Sequence, residues 1–316
     1  MSSLQVIYYG APGTGKSYAV DNLEEIKKAN NSQIFRTTFH PEYAYSDFTG
    51  QLLPIVKEEE ITYDYQPGVF TSALKQAFKD TSKPVYLIIE EMSRGNVAAI
   101  FGDVFQLLDR DDKDKSRYPV RNSVIANQIT QINSDDDIIY LPANFNILGT
   151  VNTSDQNVFV MDTAFKRRFD WQYISTFPVK NEDGTINNDF NINISLVTSS
   201  GVKKISWYNF YLKLNMFITD KNNGLGLSED KQIGQFFLNF NKQTPEHKIK
   251  DTIQNKLLQY LWEDVQSASY TSSLSLFDLE ISSFSNLYYE FSNDRPVFSN
   301  LFLEYIDSVS LPKDIL

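Results

Sequence analysis

The stretch Gly10-Ala11-Pro12-Gly13-Thr14-Gly15-Lys16-Ser17 limits what this chain can fold into more than any other segment. It fits G-x-x-x-x-G-K-[ST] at every fixed position and follows a short apolar run, Leu4–Tyr9, that reads as a strand. A helical pattern continues from Lys16 toward Ala29. Strand, glycine-rich turn and helix in this order make a phosphate cradle. The glycines let successive backbone N–H groups turn toward an anion, and the helix start adds partial positive charge. Gly10, Ala11, Pro12, Gly13, Thr14, Gly15, Lys16 and Ser17 are therefore the expected nucleotide-binding residues. Lys16 should reach the β- and γ-phosphates, and the Ser17 hydroxyl should ligate Mg²⁺.

Further strands follow. Ile34–Phe39 is a β-type run, Val85–Ile89 is continuously apolar, and Asn144–Asn152 and Phe169–Ile174 complete the set. Continuous apolar runs suit parallel strands buried on both faces. With a helical pattern at Asn96–Leu108, the alternation predicts an α/β fold with a parallel central sheet. Composition changes near Phe177, where a polar, turn-rich stretch begins. We place the large nucleotide-binding subdomain at 1–177 and a smaller, mostly helical one at 178–316, with an inserted segment near 180–205 and a short strand at "NINISLV". Helical patterns there cover Tyr208–Thr219, Asp230–Asn239 and His247–Val265. The polar runs Glu58–Tyr65 and Arg110–Ile138 read as solvated loops or hairpins.

A phosphate cradle needs an acid at the end of a neighbouring strand, and "VYLIIEE" supplies Glu90 and Glu91. Glu90 is the expected Mg²⁺ ligand, one methylene longer than the usual Asp and so suited to contact through water. Glu91 is the expected residue that polarises the attacking water. Asn152 ends the buried-type strand "NILGTVN", at the strand end where ligands sit in a parallel sheet. The helix after it closes on Lys166, Arg167 and Arg168. One cation would serve as a helix cap. A run of three points to an arginine finger acting on a neighbour's γ-phosphate, with Arg167 or Arg168 preferred over Lys166 because a planar guanidinium suits phosphoryl oxygens.

Composition excludes other classes. The sequence contains no Cys and only two His, so thiolate and His-rich metal sites are out. A net charge of −11 argues against broad contact with a nucleic-acid backbone. The 23 Phe and 18 Tyr read as core residues rather than base-stacking platforms. No signal peptide opens the chain and no apolar run spans a bilayer, so we expect a cytoplasmic protein without membrane contact.

These residues resemble the AAA+ GTPase module of the McrB family, the motor subunits of modification-dependent restriction systems. "IIEEMSRGNVAAIFGDVFQLLD" is similar to that family's Walker B segment, and "LPANFNILGTVNTSDQNVFVMDTAFKRRF" to its Met-Asn-Thr-x-Asp-Arg signature and arginine-rich helix end. "TFHPEYAYSDFTGQLLPI", "QPGVF", "DKQIGQFF" and "IQNKLLQYLWEDV" resemble further family segments, and the likeness covers roughly residues 4–265. It implies catalytic roles for Glu91, Asn152, Asp155, Arg167 and Arg168, and a nucleotide-side role for Gly234 in the lid motif. It implies GTP with Mg²⁺, although no Asn-Lys-x-Asp guanine motif is present and ATP stays the alternative. It implies a homo-oligomeric ring of six and an McrC-like endonuclease partner. Because the chain begins at the first strand and is acidic, DNA is expected to be engaged through that partner or a separate reader domain. Departures occur at Val151 (for Met), Gln156 (for Arg), Gln235 (for His) and Phe236 (for Ser). Loss of the cation at 156 implies slower or more partner-dependent hydrolysis. An ATP-dependent remodeller and a nucleotide-dependent assembly scaffold remain the competing readings. "DDKDK" sits in a loop-like run and is not read as a nuclease site.

Overall fold

The computed structural model describes residues 3–57, 60–132, 137–154, 159–269 and 274–312. They form two compact units: one comprises the residues up to Tyr9 together with Lys16–Tyr173, the other Gly10–Gly15 with the residues from Ile174 on.

The strands of the first unit are β1 (Gln5–Gly10), β2 (Ile34–Thr38), β3 (Gly50–Lys57), β4 (Glu60–Pro67), β5 (Val85–Glu90), β6 (Val120–Arg121), β7 (Ile138–Ile139), β8 (Phe145–Asn152) and β9 (Asp170–Tyr173). Five of them form one sheet in the order β2-β5-β8-β1-β9. β2 pairs with β5, β5 with β8, and β1 with β9, each in parallel register. The reason is in the sequence: Val85–Ile89 and Phe145–Thr150 are buried throughout, so helices must cover both faces. Asn146, 5% exposed, fastens the middle of the sheet. Its Oδ1 accepts from the Leu4 N–H at 2.8 Å, and its Nδ2 donates to the Val85 carbonyl at 3.0 Å. β8 thus lies between the strand that feeds the phosphate loop and the strand that carries the paired acids.

Phenylalanines fill this unit's core. Phe48 lies 5.2 Å from Phe70 and 4.8 Å from Phe101, and Phe101 lies 5.4 Å from Phe165 between ring centroids. The helix over 16–29 is broken into Lys16–Asp21 and Glu24–Lys28, because the Asn22 amide donates back to the Tyr18 carbonyl and Leu23 adopts an extended ψ. The helix at Val97 stops at Phe101, and a 3₁₀ stretch, Gly102–Leu108, replaces its expected continuation. The polar run Arg110–Ile138 is not a solvated loop at its start. Arg110 is half-buried, and desolvation of its guanidinium pushes its pKa down to about 10 against the pull of Asp114 and Asp111. It donates to the carbonyls of Asp114 and Phe145 at 3.0 and 2.9 Å and to Gln5 Oε1 at 3.2 Å. The other polar run is half of a hairpin. In β3–β4, Leu52 opposes Tyr65, Pro54 opposes Tyr63 and Val56 opposes Ile61, so one face is apolar. On it Leu52, Val56, Ile61 and Tyr63 are 66–73% exposed.

The second unit holds a hairpin, β10 (Asn193–Thr198) and β11 (Gly201–Ser206), followed by the helix Trp207–Thr219. Trp207, Tyr208, Phe210, Tyr211, Leu214, Phe217 and Ile218 are all fully buried, so this helix is the unit's central element. A continuous helical rod runs from Glu246 to Gln266, with wide π turns at Ile253–Leu257 and Leu261–Gln266. Two further helices, Phe284–Ser292 and Asn300–Ser308, complete it, and Phe302 packs 5.0 Å from Phe217. The helical pattern over Asp230–Asn239 does not become a helix. Only Glu229–Lys231 makes a 3₁₀ turn, since hydrogen bonds to Asn215, Pro12 and Gly13 take the backbone groups of Ile233, Gly234 and Phe236 out of helical pairing.

Candidate functional site: paired acids beside a phosphate loop

The phosphate loop takes the backbone its glycines permit. Gly13 and Gly15 have φ of +73° and +93°. The Thr14 hydroxyl donates to the Ala11 carbonyl at 3.0 Å and closes the turn. Two backbone bonds grip the loop from the lid motif: the N–H of Gly234 donates to the Pro12 carbonyl at 2.9 Å and that of Phe236 to the Gly13 carbonyl at 2.8 Å. A Cβ on Gly13 would lie 2.3 Å from the Phe237 nitrogen, and one on Gly234 would lie 2.4 Å from the Gly13 oxygen. Both positions therefore require glycine.

At the end of β5 the two acids separate. Glu91 stands in the left-handed region (φ 54°, ψ 43°), which costs a non-glycine residue energy and turns the chain sharply after Glu90. Glu90 collects three donors from three elements. Ser17 Oγ donates to its Oε2 at 2.9 Å, Thr150 Oγ1 to the same oxygen at 2.6 Å, and Arg36 Nη1 to Oε1 at 2.8 Å. Arg36 also pairs with Asp21. The Thr150 hydroxyl in turn accepts the Glu91 N–H at 3.1 Å, so one buried side chain fixes both acids. Glu91 is aimed by Asn152, whose Nδ2 lies 2.9 and 2.8 Å from its two carboxylate oxygens.

Ser17, Glu90, Glu91 and Asn152 thus come together as one cluster with Thr150 and Arg36, and Lys16, 7% exposed, immediately precedes Ser17. Thr150 and Arg36 were missed in the sequence. Thr150 lies two residues before Asn152 on a strand, hence on the same face. Arg36 is a cation inside an apolar β run and lies two residues before Thr38, which registers with Glu90. Ser17 and Glu90 also fit a Mg²⁺ ion, which takes hard oxygens from one or two side chains and the rest from phosphate and water. Asp155 and Gln156 lie outside the described residues.

The three cations part company. Lys166 and Arg167 are exposed at the end of the helix Thr163–Lys166. The Arg168 side chain is 10% exposed, 2.6 Å from Asp109, and donates to the Ala164 carbonyl at 2.7 Å. Its guanidinium sits 4.1 Å above the Phe105 ring. Desolvated, paired and stacked, it holds the unit together where it stands.

Comparison with known proteins agrees with this geometry. The AAA domain (dynein-related subfamily) matches residues 5–169. The chain is 35% identical over 334 aligned positions to the type II restriction enzyme BsuMI component YdiS of Bacillus subtilis, covering 98% of this chain and 90% of that one. It is 27% identical over 166 positions to the type IV methyl-directed restriction enzyme EcoKMcrB subunit of Escherichia coli, covering 52% of this chain and 34% of that one. The chain belongs to the AAA domain family, the P-loop nucleoside triphosphatases. Within it the chain carries an McrB-like module and is related to components of restriction systems.

The contrast between the two arginines gives a direct expectation. Arg168→Ala leaves Asp109 without its partner and should lower unfolding free energy by about 2–4 kcal/mol. Arg167→Ala should change it by no more than about 0.5 kcal/mol. Urea unfolding of the two variants measures both, and equal losses would contradict the division of roles.

Proposed function

We propose that this chain is the nucleotide-hydrolysing subunit of a restriction system, with GTP preferred over ATP. The observation that carries the reading is the cluster at the strand ends, where Glu90 meets Ser17 and Asn152 aims Glu91. Lys16 and the loop backbone hold the triphosphate, and Ser17 with Glu90 holds the metal. Mg²⁺ held there would supply charge neutralisation for the phosphates. Glu91 takes up the proton of the attacking water as general base, and Asn152 keeps its carboxylate in position.

The subunit works in a ring of like copies, six by the family resemblance. An exposed apolar face such as that of β3–β4 is unusual for a monomer and supports assembly. Arg167 is the trans-acting finger, because Arg168 is committed within its own subunit. The names of the two relatives support a restriction endonuclease as partner. The acidic balance supports DNA contact through that partner or a reader domain and not through this module.

A hydrolysis panel with GTP and ATP, each with and without the cognate nuclease subunit, tests the reading. Turnover of GTP, raised by the partner, is the expected result. Turnover of ATP alone would favour a remodeller, and binding without turnover a scaffold. Lys16→Ala should abolish nucleotide binding by calorimetry, and unchanged affinity would end the phosphate-loop assignment.

The trans finger has its own signature. Arg167→Ala and Glu91→Gln subunits should each be inactive alone and regain part of the activity when mixed, since some interfaces then pair an intact finger with an intact glutamate. Failure to regain activity while labelled subunits exchange would remove Arg167 from that role.

A further inference from the structure

Four side chains close a polar circuit at the strand ends of the sheet. Ser17 and Asp21 lie four residues apart on the helix Lys16–Asp21 and so share one of its faces. Arg36 on β2 and Glu90 at the end of β5 stand on neighbouring parallel strands, where Thr38 registers with Glu90. Ser17 Oγ donates to Glu90 Oε2, Arg36 Nη1 donates to Glu90 Oε1 at 2.8 Å, and Arg36 Nη2 pairs with Asp21. The circuit ties one helix to two strands. Arginine suits it, because one planar fork can hold two carboxylates at once.

The Glu90 carboxylate has little left to give a metal. Its Oε2 already accepts from Ser17 and Thr150, at 2.9 and 2.6 Å, which uses both lone pairs. Its Oε1 has a lone pair to spare, and Oε1 is the atom that Arg36 holds. A divalent ion ligated there would lie within about 5 Å of a guanidinium nitrogen, since Mg–oxygen bonds are about 2.1 Å long. Cation and dication repel at that distance, and screening is weak because the Glu90 side chain is only 13% exposed. The Ser17 hydroxyl carries no such conflict. Its proton goes to Glu90, which leaves its lone pairs for a metal.

We propose that Arg36 is a positioning residue that bars Glu90 from direct metal ligation, so that the site selects against divalent ions that take a carboxylate directly. The inference rests on the phosphate-loop reading of Gly10–Ser17. Glu90 then serves the metal at one remove, by orienting the Ser17 hydroxyl and by accepting from metal-held water. Mg²⁺ suits such a site, because it dehydrates reluctantly and keeps several waters. Ca²⁺ draws on six to eight oxygens, carboxylates foremost, and loses most when the carboxylate is withheld.

Calorimetric binding of the non-hydrolysable imido analogues of GTP and ATP, over a series of free Mg²⁺ or Ca²⁺ concentrations, tests this on the full chain. For whichever analogue binds, half-maximal binding by the unaltered protein should need at least about 10-fold more Ca²⁺ than Mg²⁺. Arg36→Met keeps much of the side chain without its charge, and should bring the two ions within about threefold through a gain for Ca²⁺. Arg36→Lys returns a cation to Oε1 and should return the preference. A purely structural arginine would on removal weaken both ions together. That result overturns the inference, as does a Mg²⁺ preference that survives Arg36→Met. Equal binding with either ion by the unaltered protein overturns it even if no variant folds. In each of these cases the nucleotide still binds, and the phosphate-loop reading stands. Failure of both analogues to bind at any metal concentration overturns that reading and this inference with it.

Discussion

Everything at the strand ends is organised around the carboxylate of Glu90. It accepts from Ser17 at the start of the first helix, from Thr150 on β8 and from Arg36 on β2. One anion with three donors from three elements is a strong tie, because each bond is charge-assisted and the side chain is only 13% exposed. Arg36 balances its negative charge. The sharp turn at Glu91 follows from the same arrangement. Successive residues on a strand point to opposite faces, and a left-handed step is what lets the next carboxylate reach Asn152.

The same logic shows where an acidic chain places its cations. Arg110 binds carbonyls from the segments around it, Arg168 stacks on Phe105 beside Asp109, and Arg36 joins Asp21 to Glu90. Arginine suits all three sites because its planar fork can donate in several directions while remaining charged. Arg167 and Lys166 are left exposed beside Arg168.

The sheet was legible because its strands are apolar without interruption and each ends in a turn signal. All five runs read from the sequence became strands within a residue or so of their expected limits. The glycine-rich turn between strand and helix, and the place of both acids at a strand end, were legible because such a motif demands fixed residue types at fixed spacing. What could not be read was whatever depends on contacts distant in sequence. Arg168 and Arg167 are neighbours of the same type, and only the packing of Phe105 and Asp109 separates them. The segment Asp230–Asn239 has helical periodicity, yet Asn215 and the phosphate-loop carbonyls take up the backbone groups a helix would pair.

The central claim is that Glu90 and Glu91, adjacent in sequence, do separate work: one holds the metal beside Ser17, and the other activates water under the control of Asn152. Phosphate release by Glu91→Gln at saturating Mg²⁺ and GTP tests it most directly, with nucleotide binding measured on the same sample. The account predicts that binding persists within a few-fold while release falls by about 100-fold or more, since a general base contributes about 10²–10⁴ in rate. Release at the unaltered rate, with binding intact, would contradict it.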